Sequence, residues 1–152
     1  MKQILKSMSI AAFVLALHIP GWAADNGSAA EATALVQRAA EYLKANGPAK
    51  AYAAFNDQAG QFKDRDLYMF VMDLNGKMLA HGANAKLIGK DLAGLKDSDD
   101  KYFIKSMLDV AKAKGKGWVD YKWPHPVTKA IEPKSTYVEK IDDLVIGCGI
   151  YK

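Results

Sequence analysis

The chain has 152 residues, of which 21 are Lys or Arg, 17 are Asp or Glu and one is Cys. Half of the residues are apolar and a quarter are charged, which is typical of a soluble globular domain and excludes disordered, collagen-like and coiled-coil chains. The single cysteine excludes a disulfide framework and a cysteine-rich metal site, and a net charge of +4 is too small to indicate nucleic-acid binding by itself.

The first residues have the order of a secretory signal peptide. Two lysines precede the uncharged apolar run Met8 to Ile19, and Pro20 with small residues follows it. The run is too short to cross the hydrocarbon core of a bilayer, which takes about 20 residues. We predict a signal peptide over residues 1–23, with Ala24 as the alternative last residue, and one mature domain over residues 24–152 in the periplasm or outside the cell.

Two helices are predicted next. Apolar residues recur at helical spacing from Glu31 to Lys44, which predicts an amphipathic helix. Asn46-Gly47-Pro48 suits the end of this helix and the start of another, which we predict to run to Asp57.

Strand-forming residues follow the helices. Leu67 to Asp73 is apolar on both faces, and Asn75-Gly76 before Lys77 to His81 predicts a β-hairpin. Residues 83–96 are expected to form a loop.

The second half begins with another helix. Asp97 to Asp100 are expected to cap a helix over Tyr102 to Lys114. Three segments rich in strand formers then run from Gly117 to Trp123, from Ser135 to Ile141 and from Leu144 to Tyr151. Strands joined by short turns predict an α+β fold in which helices pack on an antiparallel sheet.

The sequence gives no positive sign of an enzyme. It has no phosphate-binding loop, nucleophile elbow, zinc-protease motif or calcium loop. His81 and His125 are far apart with no cysteine near them, which makes a poor metal site. We therefore predict neither catalysis nor a metal or cofactor.

The last strands hold candidates for ligand binding. Tyr121 and Trp123 share one face of their strand, and Gly147 and Gly149 share a face of the last strand, where a helix or a ligand could approach. Lys134 beside several aromatic residues would suit a small organic anion. The same residues also fit a surface lysine beside core aromatics, so spacing alone leaves both interpretations open.

Four segments in a fixed order give a more specific signal. They are MDLNGKMLAHG (Met72 to Gly82), LIGKDLAGLKDSDDKYF (Leu87 to Phe103), GKGWVDYKWPHP (Gly115 to Pro126) and EPKSTYVEKIDDLVIGCGIY (Glu132 to Tyr151). Together they resemble the single Cache domain, the extracytoplasmic sensor module of many bacterial chemoreceptors and histidine kinases. With the helices before them, the resemblance covers nearly all of the mature chain.

The resemblance implies a PAS-like five-stranded antiparallel sheet with a long N-terminal helix and a lid helix over a pocket. It also implies recognition, without turnover, of small molecules that are often short carboxylates. The ligand-binding residues that it implies are Tyr68, Phe70, His81, Tyr102, Phe103, Tyr121, Trp123, Lys134 and Tyr137. At one point the chain departs from the family's pattern, because His81 precedes Gly82 where a proline is common.

Family members usually lie between two membrane helices and feed a cytoplasmic signalling domain. Because no second membrane segment follows here, we expect the chain to pass its signal to a membrane receptor or histidine kinase, or only to capture its ligand. Two alternatives stay open. One is an enzyme that uses the pocket with His81 or His125 as base, and the other is a protein-interaction module whose pocket is filled by its own side chains.

Overall fold

The computed structural model describes residues 26–152. The signal peptide predicted over residues 1–23 lies outside the described residues and stays a prediction. Among the described residues, no helix combines the length and the apolar character needed to cross a membrane.

Three helices and six strands follow one another along the chain. The helices are α1 (Ala29–Asn46), α2 (Pro48–Asn56) and α3 (Phe103–Lys114), with a short 3-10 helix at Ala85–Leu87. The strands are β1 (Lys63–Asp64), β2 (Leu67–Asp73), β3 (Met78–His81), β4 (Lys116–Pro124), β5 (Ile131–Ile141) and β6 (Leu144–Tyr151). Every predicted helix and strand is present, with ends that differ by a few residues at most.

The strands form one antiparallel sheet. Strand β2 pairs with β1, β3 and β6, after which β6 pairs with β5 and β5 with β4. Five strands match the predicted sheet and the two-residue β1 is an addition. The predicted α+β fold is confirmed.

Local signals explain where α1 begins and ends. The Ser28 hydroxyl accepts from the Glu31 N–H, and the Glu31 carboxylate accepts from the Ser28 N–H, so both form a capping box. Gly47, at a φ of 76°, ends α1 in a conformation that side chains disfavour, and Pro48 then starts α2.

The sheet carries a separate apolar core on each face. Along β2, Met69 and Val71 face one way and pack with α1 and α2, whereas Phe70 and Met72 face α3. All four side chains are buried, so this strand is apolar on both faces as predicted. The face toward α3 is the one that forms the candidate site.

The expected role of the acidic cluster is wrong. Helix α3 starts after Tyr102 with no side-chain cap. Asp97 instead accepts hydrogen bonds from the backbone N–H groups of Asp99, Lys101 and Lys122 at 2.9–3.0 Å. The carboxylate therefore closes the turn that precedes α3 and ties this turn to β4.

Side chains of neighbouring strands fill the space beside the two glycines of β6. A side chain at Gly147 would collide with the Phe70 ring, and one at Gly149 would collide with Thr136 and with the Lys134 side chain. Phe70 lies opposite Gly147 in the β2–β6 register, and Thr136 lies opposite Gly149 in the β5–β6 register. Neighbouring strands thus send their own side chains over β6.

Candidate functional site

A narrow pocket lies between the sheet and the lid helix α3. Its walls come from β2, β3, β4, α3 and the loop after β3, and the residues that line it are Tyr68, Phe70, Met78, His81, Leu87, Leu92, Phe103, Ile104, Met107, Tyr121 and Trp123. The free volume is about 20 Å³, which is room for about one water molecule. A ligand of several heavy atoms therefore needs its walls to move apart.

Aromatic rings fill most of this space. The Phe103 ring stacks on the Tyr121 ring with centroids 4.4 Å apart and planes within 2°, and Trp123 lies 5.2 Å from Phe103. The Tyr121 hydroxyl is also hydrogen-bonded, at 3.1 Å, to the Thr136 hydroxyl on β5. Because Phe103 belongs to α3 and Tyr121 to β4, the stack holds the lid helix against the sheet.

A buried amine lies behind the pocket. Lys134 on β5 is only 2% exposed, and its Nζ donates to the hydroxyls of Tyr68 at 2.6 Å and Tyr151 at 3.1 Å. The same atom lies 4.1 Å and 4.5 Å from the centres of those two rings. Burial lowers the pKa of this ammonium to about 7. A positive charge is thus held by neutral groups, with one N–H left to donate.

A buried carboxylate lies close enough to act on this amine. Asp66 is 2% exposed, and its charge opposes part of the fall in the pKa of Lys134. One oxygen, Oδ1, accepts from the Gly27 N–H at 2.7 Å, while Oδ2 has no hydrogen-bond partner among the described residues. The amine and the carboxylate do not form an ion pair, so the charge of Lys134 is left for another anion.

His81 presents a donor to the same pocket. Its Nδ1 accepts from the N–H groups of Ala83 and Asn84 at 3.2 and 2.9 Å, which leaves the proton of the neutral ring on Nε2. Burial, followed by the charge of Lys134, lowers the pKa of His81 to about 4, so the ring is neutral at ordinary pH. The ring packs 5.0 Å from Tyr68.

The glycine after His81 makes a bond that a proline could not make. Gly82 donates its N–H to the Met69 carbonyl at 2.9 Å, and a Cβ there would lie 2.8 Å from the Phe55 carbonyl oxygen. The departure from the family's pattern therefore ties this loop to β2 and brings it close to α2.

An outer cleft adjoins the pocket. Its volume is about 340 Å³, and Tyr68, His81 and Trp123 line both spaces. The other residues that line it are Ala83, Asn84, Lys86, Pro124, His125, Pro126 and Lys129. They include histidine and lysine side chains but no carboxylate, so a ligand that enters here meets positive charge.

A third cleft, at the outer edge of the sheet, differs in charge. Its volume is about 320 Å³, and Asp97, Asp99 and Asp120 line it beside lysines. Lys122 pairs with Asp99 and Lys152 with Asp120, both at 2.9 Å. Such exposed pairs neutralise one another, so this cleft has little net attraction for an anion.

The structure brings most of the predicted site residues together. Six of the nine line the pocket: Tyr68, Phe70, His81, Phe103, Tyr121 and Trp123. Lys134 is not among the residues that line the pocket, and its Nζ is hydrogen-bonded to the hydroxyl of Tyr68, which is. Whether these residues bind a ligand remains a prediction.

Two predicted residues lie elsewhere. Tyr137 faces α1 on the opposite side of the sheet, since it is three positions from Lys134 and side chains alternate along β5. Tyr102 is 46% exposed, precedes the lid helix and holds the Lys96 ammonium over its ring. Neither is among the residues that line the pocket.

Sequence reasoning omitted several residues of the site. Tyr151 holds the Lys134 amine, and its hydroxyl donates to the Pro124 carbonyl at 2.8 Å. Its position on the glycine-bearing face of β6 was a usable signal. The apolar wall residues of the loop, Leu87 and Leu92, carried no signal because their burial depends on how the loop folds back on β3.

The described residues contain no group of three or more His, Cys, Asp or Glu side chains that could hold a metal ion.

Comparison with known proteins agrees with this architecture. The chain is 34% identical over 90 residues to the methyl-accepting chemotaxis protein McpP of Pseudomonas putida, covering 58% of this chain and 16% of that protein. It is 34% identical over 89 residues to the sensor histidine kinase MctS of Rhizobium johnstonii, covering 57% of this chain and 19% of that protein. The chain thus spans less than a fifth of the length of either relative.

A solved structure and a family model extend the match. A Cache chemosensory domain, described in terms of carboxylic acid recognition, superposes with a TM-score of 0.68 at 26% identity, covering 80% of this chain and 91% of that one. The family model described as Single Cache domain 2 matches residues 22–152. Domains of this kind are periplasmic or extracellular sensor domains of chemoreceptors and kinases. The chain belongs to the single Cache domain 2 family.

Proposed function

We propose that this chain is a periplasmic or secreted sensory module that binds a short organic anion, a carboxylate in the first place, and releases it unchanged. The observation that carries the proposal is the buried Lys134 amine beside an aromatic pocket, whose hydrogen-bond partners among the described residues are two phenol hydroxyls. A buried ammonium without an ion pair is costly, and an incoming carboxylate would offset that cost.

The pocket offers a small carboxylate two kinds of contact. The Nε2–H of His81 and the remaining N–H of Lys134 would donate to its oxygens. The rings of Phe70, Phe103 and Trp123 would surround its hydrocarbon part and exclude water. For about six heavy atoms, a ceiling of about 1.5 kcal/mol per atom limits the affinity to near micromolar.

Two further parts of the proposal concern what happens after binding. Relatives of the chain are sensory proteins, and the pocket residues offer no pair of nucleophile and base. We expect binding without turnover, and transfer of the signal to a membrane receptor or a histidine kinase. A turnover assay on the identified ligand checks the first point, because a binder returns it unchanged.

The experiment that tests binding is a thermal-shift screen against short carboxylates, amino acids and purines, followed by calorimetry. A ligand at 100 times its dissociation constant adds about 2.7 kcal/mol to the free energy of unfolding. Lys134→Met, which keeps the bulk and removes the charge, should weaken carboxylate binding about tenfold or more. Lys112→Met, on the exposed side of α3, is the matched control and should change nothing.

One observation favours a second candidate, a protein-interaction module. The stacked Phe103 and Tyr121 rings leave about 20 Å³ in the pocket. If these rings never separate, no metabolite shifts the melting temperature, and the proposal of a ligand sensor is wrong.

A further inference from the structure

The outer cleft has hydrogen-bond donors that do not line the narrow pocket beneath α3, which we call the inner pocket. His125, in the turn between β4 and β5, is 2% exposed, and its Nδ1 accepts from the N–H groups of Val127 at 3.1 Å and Thr128 at 3.3 Å. An imidazole that accepts at Nδ1 carries its proton on Nε2 when neutral. The turn therefore fixes which edge of this ring can donate.

His81, which also lines the cleft, is held in the same way. Its Nδ1 also accepts from two backbone N–H groups, and the Nε2 atoms of His81 and His125 have no hydrogen-bond partner among the described residues. In that part of the chain, the fully buried side-chain atom that lacks a partner is Asp66 Oδ2. The two Nε2 atoms thus lack a hydrogen-bond partner within the described part of the chain but are not fully buried, and both rings line the cleft.

Two lysines add positive charge at the rim. Lys86 is exposed, and within the described part of the chain its ammonium forms no ion pair. Lys129 donates from its Nζ to the Pro126 carbonyl at 2.6 Å, which holds the ammonium over the turn. With no carboxylate among the lining residues, the cleft concentrates one sign of charge.

We propose that the outer cleft is a second anion subsite, built on His125 with Lys86 and Lys129, so that the chain binds a short dicarboxylate across both spaces. This inference rests on the proposed function, because the inner pocket takes the first carboxylate. The shared walls Tyr68, His81 and Trp123 make the two spaces continuous, so one short carbon chain can enter both. A buried imidazole N–H that donates to a charged ligand oxygen strongly lowers the relative affinity of any ligand without that oxygen, because the N–H is then left unpaired.

The test is calorimetry with matched probes: propionate against malonate, butyrate against succinate, and valerate against glutarate. We expect at least one dicarboxylate to bind about tenfold or more tightly than its monocarboxylate partner, with one ligand per chain. His125→Asn should remove that advantage and leave monocarboxylate affinity unchanged. Asparagine Oδ1 can still accept from the turn N–H groups, so the melting temperature should hold.

A second variant keeps the test decisive if the turn is disturbed. Lys86→Met replaces an exposed side chain that has no ion pair among the described residues. It should lower the affinity for the dicarboxylate severalfold and leave the affinity for the matched monocarboxylate unchanged. Lys112→Met is the control. Monocarboxylates that bind with no dicarboxylate advantage overturn the inference and leave the proposed function standing. Failure of every probe to bind overturns both.

Discussion

At the scale of single residues, the site depends on an amine kept out of water. The Lys134 amine is hydrogen-bonded to the Tyr68 and Tyr151 hydroxyls. The charge of Asp66 raises the pKa of this amine, but the two groups do not form an ion pair. Burying a charged group costs free energy, and replacing it by an apolar group of similar volume often stabilises the fold. The residue that suits an anion should therefore reduce the stability of the unliganded fold.

Lys134→Met should stabilise the protein at pH 7 and remove a pH dependence. The pKa of this lysine falls from 10.5 to about 7 on folding, so between these values the unfolded chain binds a proton that the folded chain has released. Stability from this group therefore rises with pH across that window, by at most about 1.4 kcal/mol per unit, and its cost is complete below pH 7. Denaturant unfolding of both proteins at pH 7, 8 and 9 measures the difference.

The difference in unfolding free energy between Lys134→Met and wild type should shrink as the pH rises. The tyrosines that titrate in the unfolded chain are common to both proteins and largely cancel. Lys112→Met, which removes an exposed lysine of α3, serves as the comparison. A difference for Lys134→Met that stays constant with pH would show that the amine is not desolvated by the fold.

At the scale of elements, the alternation of side chains could be predicted but the strand register could not. Tyr121 and Trp123 were placed correctly on one face because a strand has a period of two. The same rule puts Tyr137 on the face of β5 opposite to Lys134, as the structure has it. The family resemblance implied both residues as ligand-binding residues, although the alternation of side chains already separates them. What lies over Gly147 depends on Phe70, a neighbour only through pairing of distant strands.

The lack of a side chain at Gly149 is what allows Lys134 to lie flat over β6. A Cβ there would collide with Thr136 Oγ1 and with Lys134 Cε. We expect Gly149→Ala to cost about 1–3 kcal/mol and to reduce carboxylate affinity, since the amine must move. Gly94→Ala is the matched control, because a Cβ at that position meets nothing within 4 Å. Unfolding and binding measured on both variants would contradict this if Gly149→Ala behaved like the control.

At the scale of the whole molecule, the two faces of the sheet have different tasks. Helices α1 and α2 cover one face with small and aliphatic side chains such as Ala32, Val36 and Ala51, all fully buried. The other face carries the pocket beneath α3 and the loop over residues 83–96. That loop is held by a few backbone bonds, among them those of Met78 with Gly89 and Lys90. We expect the sheet supported by α1 to be the fixed wall of the pocket, and the lid helix and the loop to be the wall that moves.

Ligand binding should therefore slow hydrogen exchange mainly in the loop and lid, residues 83–108. A space of about 20 Å³ cannot hold a carboxylate of several heavy atoms, so Phe103 and its helix must shift outward and then close on the ligand. Exchange of α1 amides depends on opening of the other core and should change less. Exchange mass spectrometry with and without a saturating carboxylate measures this, with the backbone of β4 as an internal reference beside the lid. Slowing in α1 equal to that in residues 83–108 would mean that the ligand stabilises the fold as a whole and that no wall of the pocket moves.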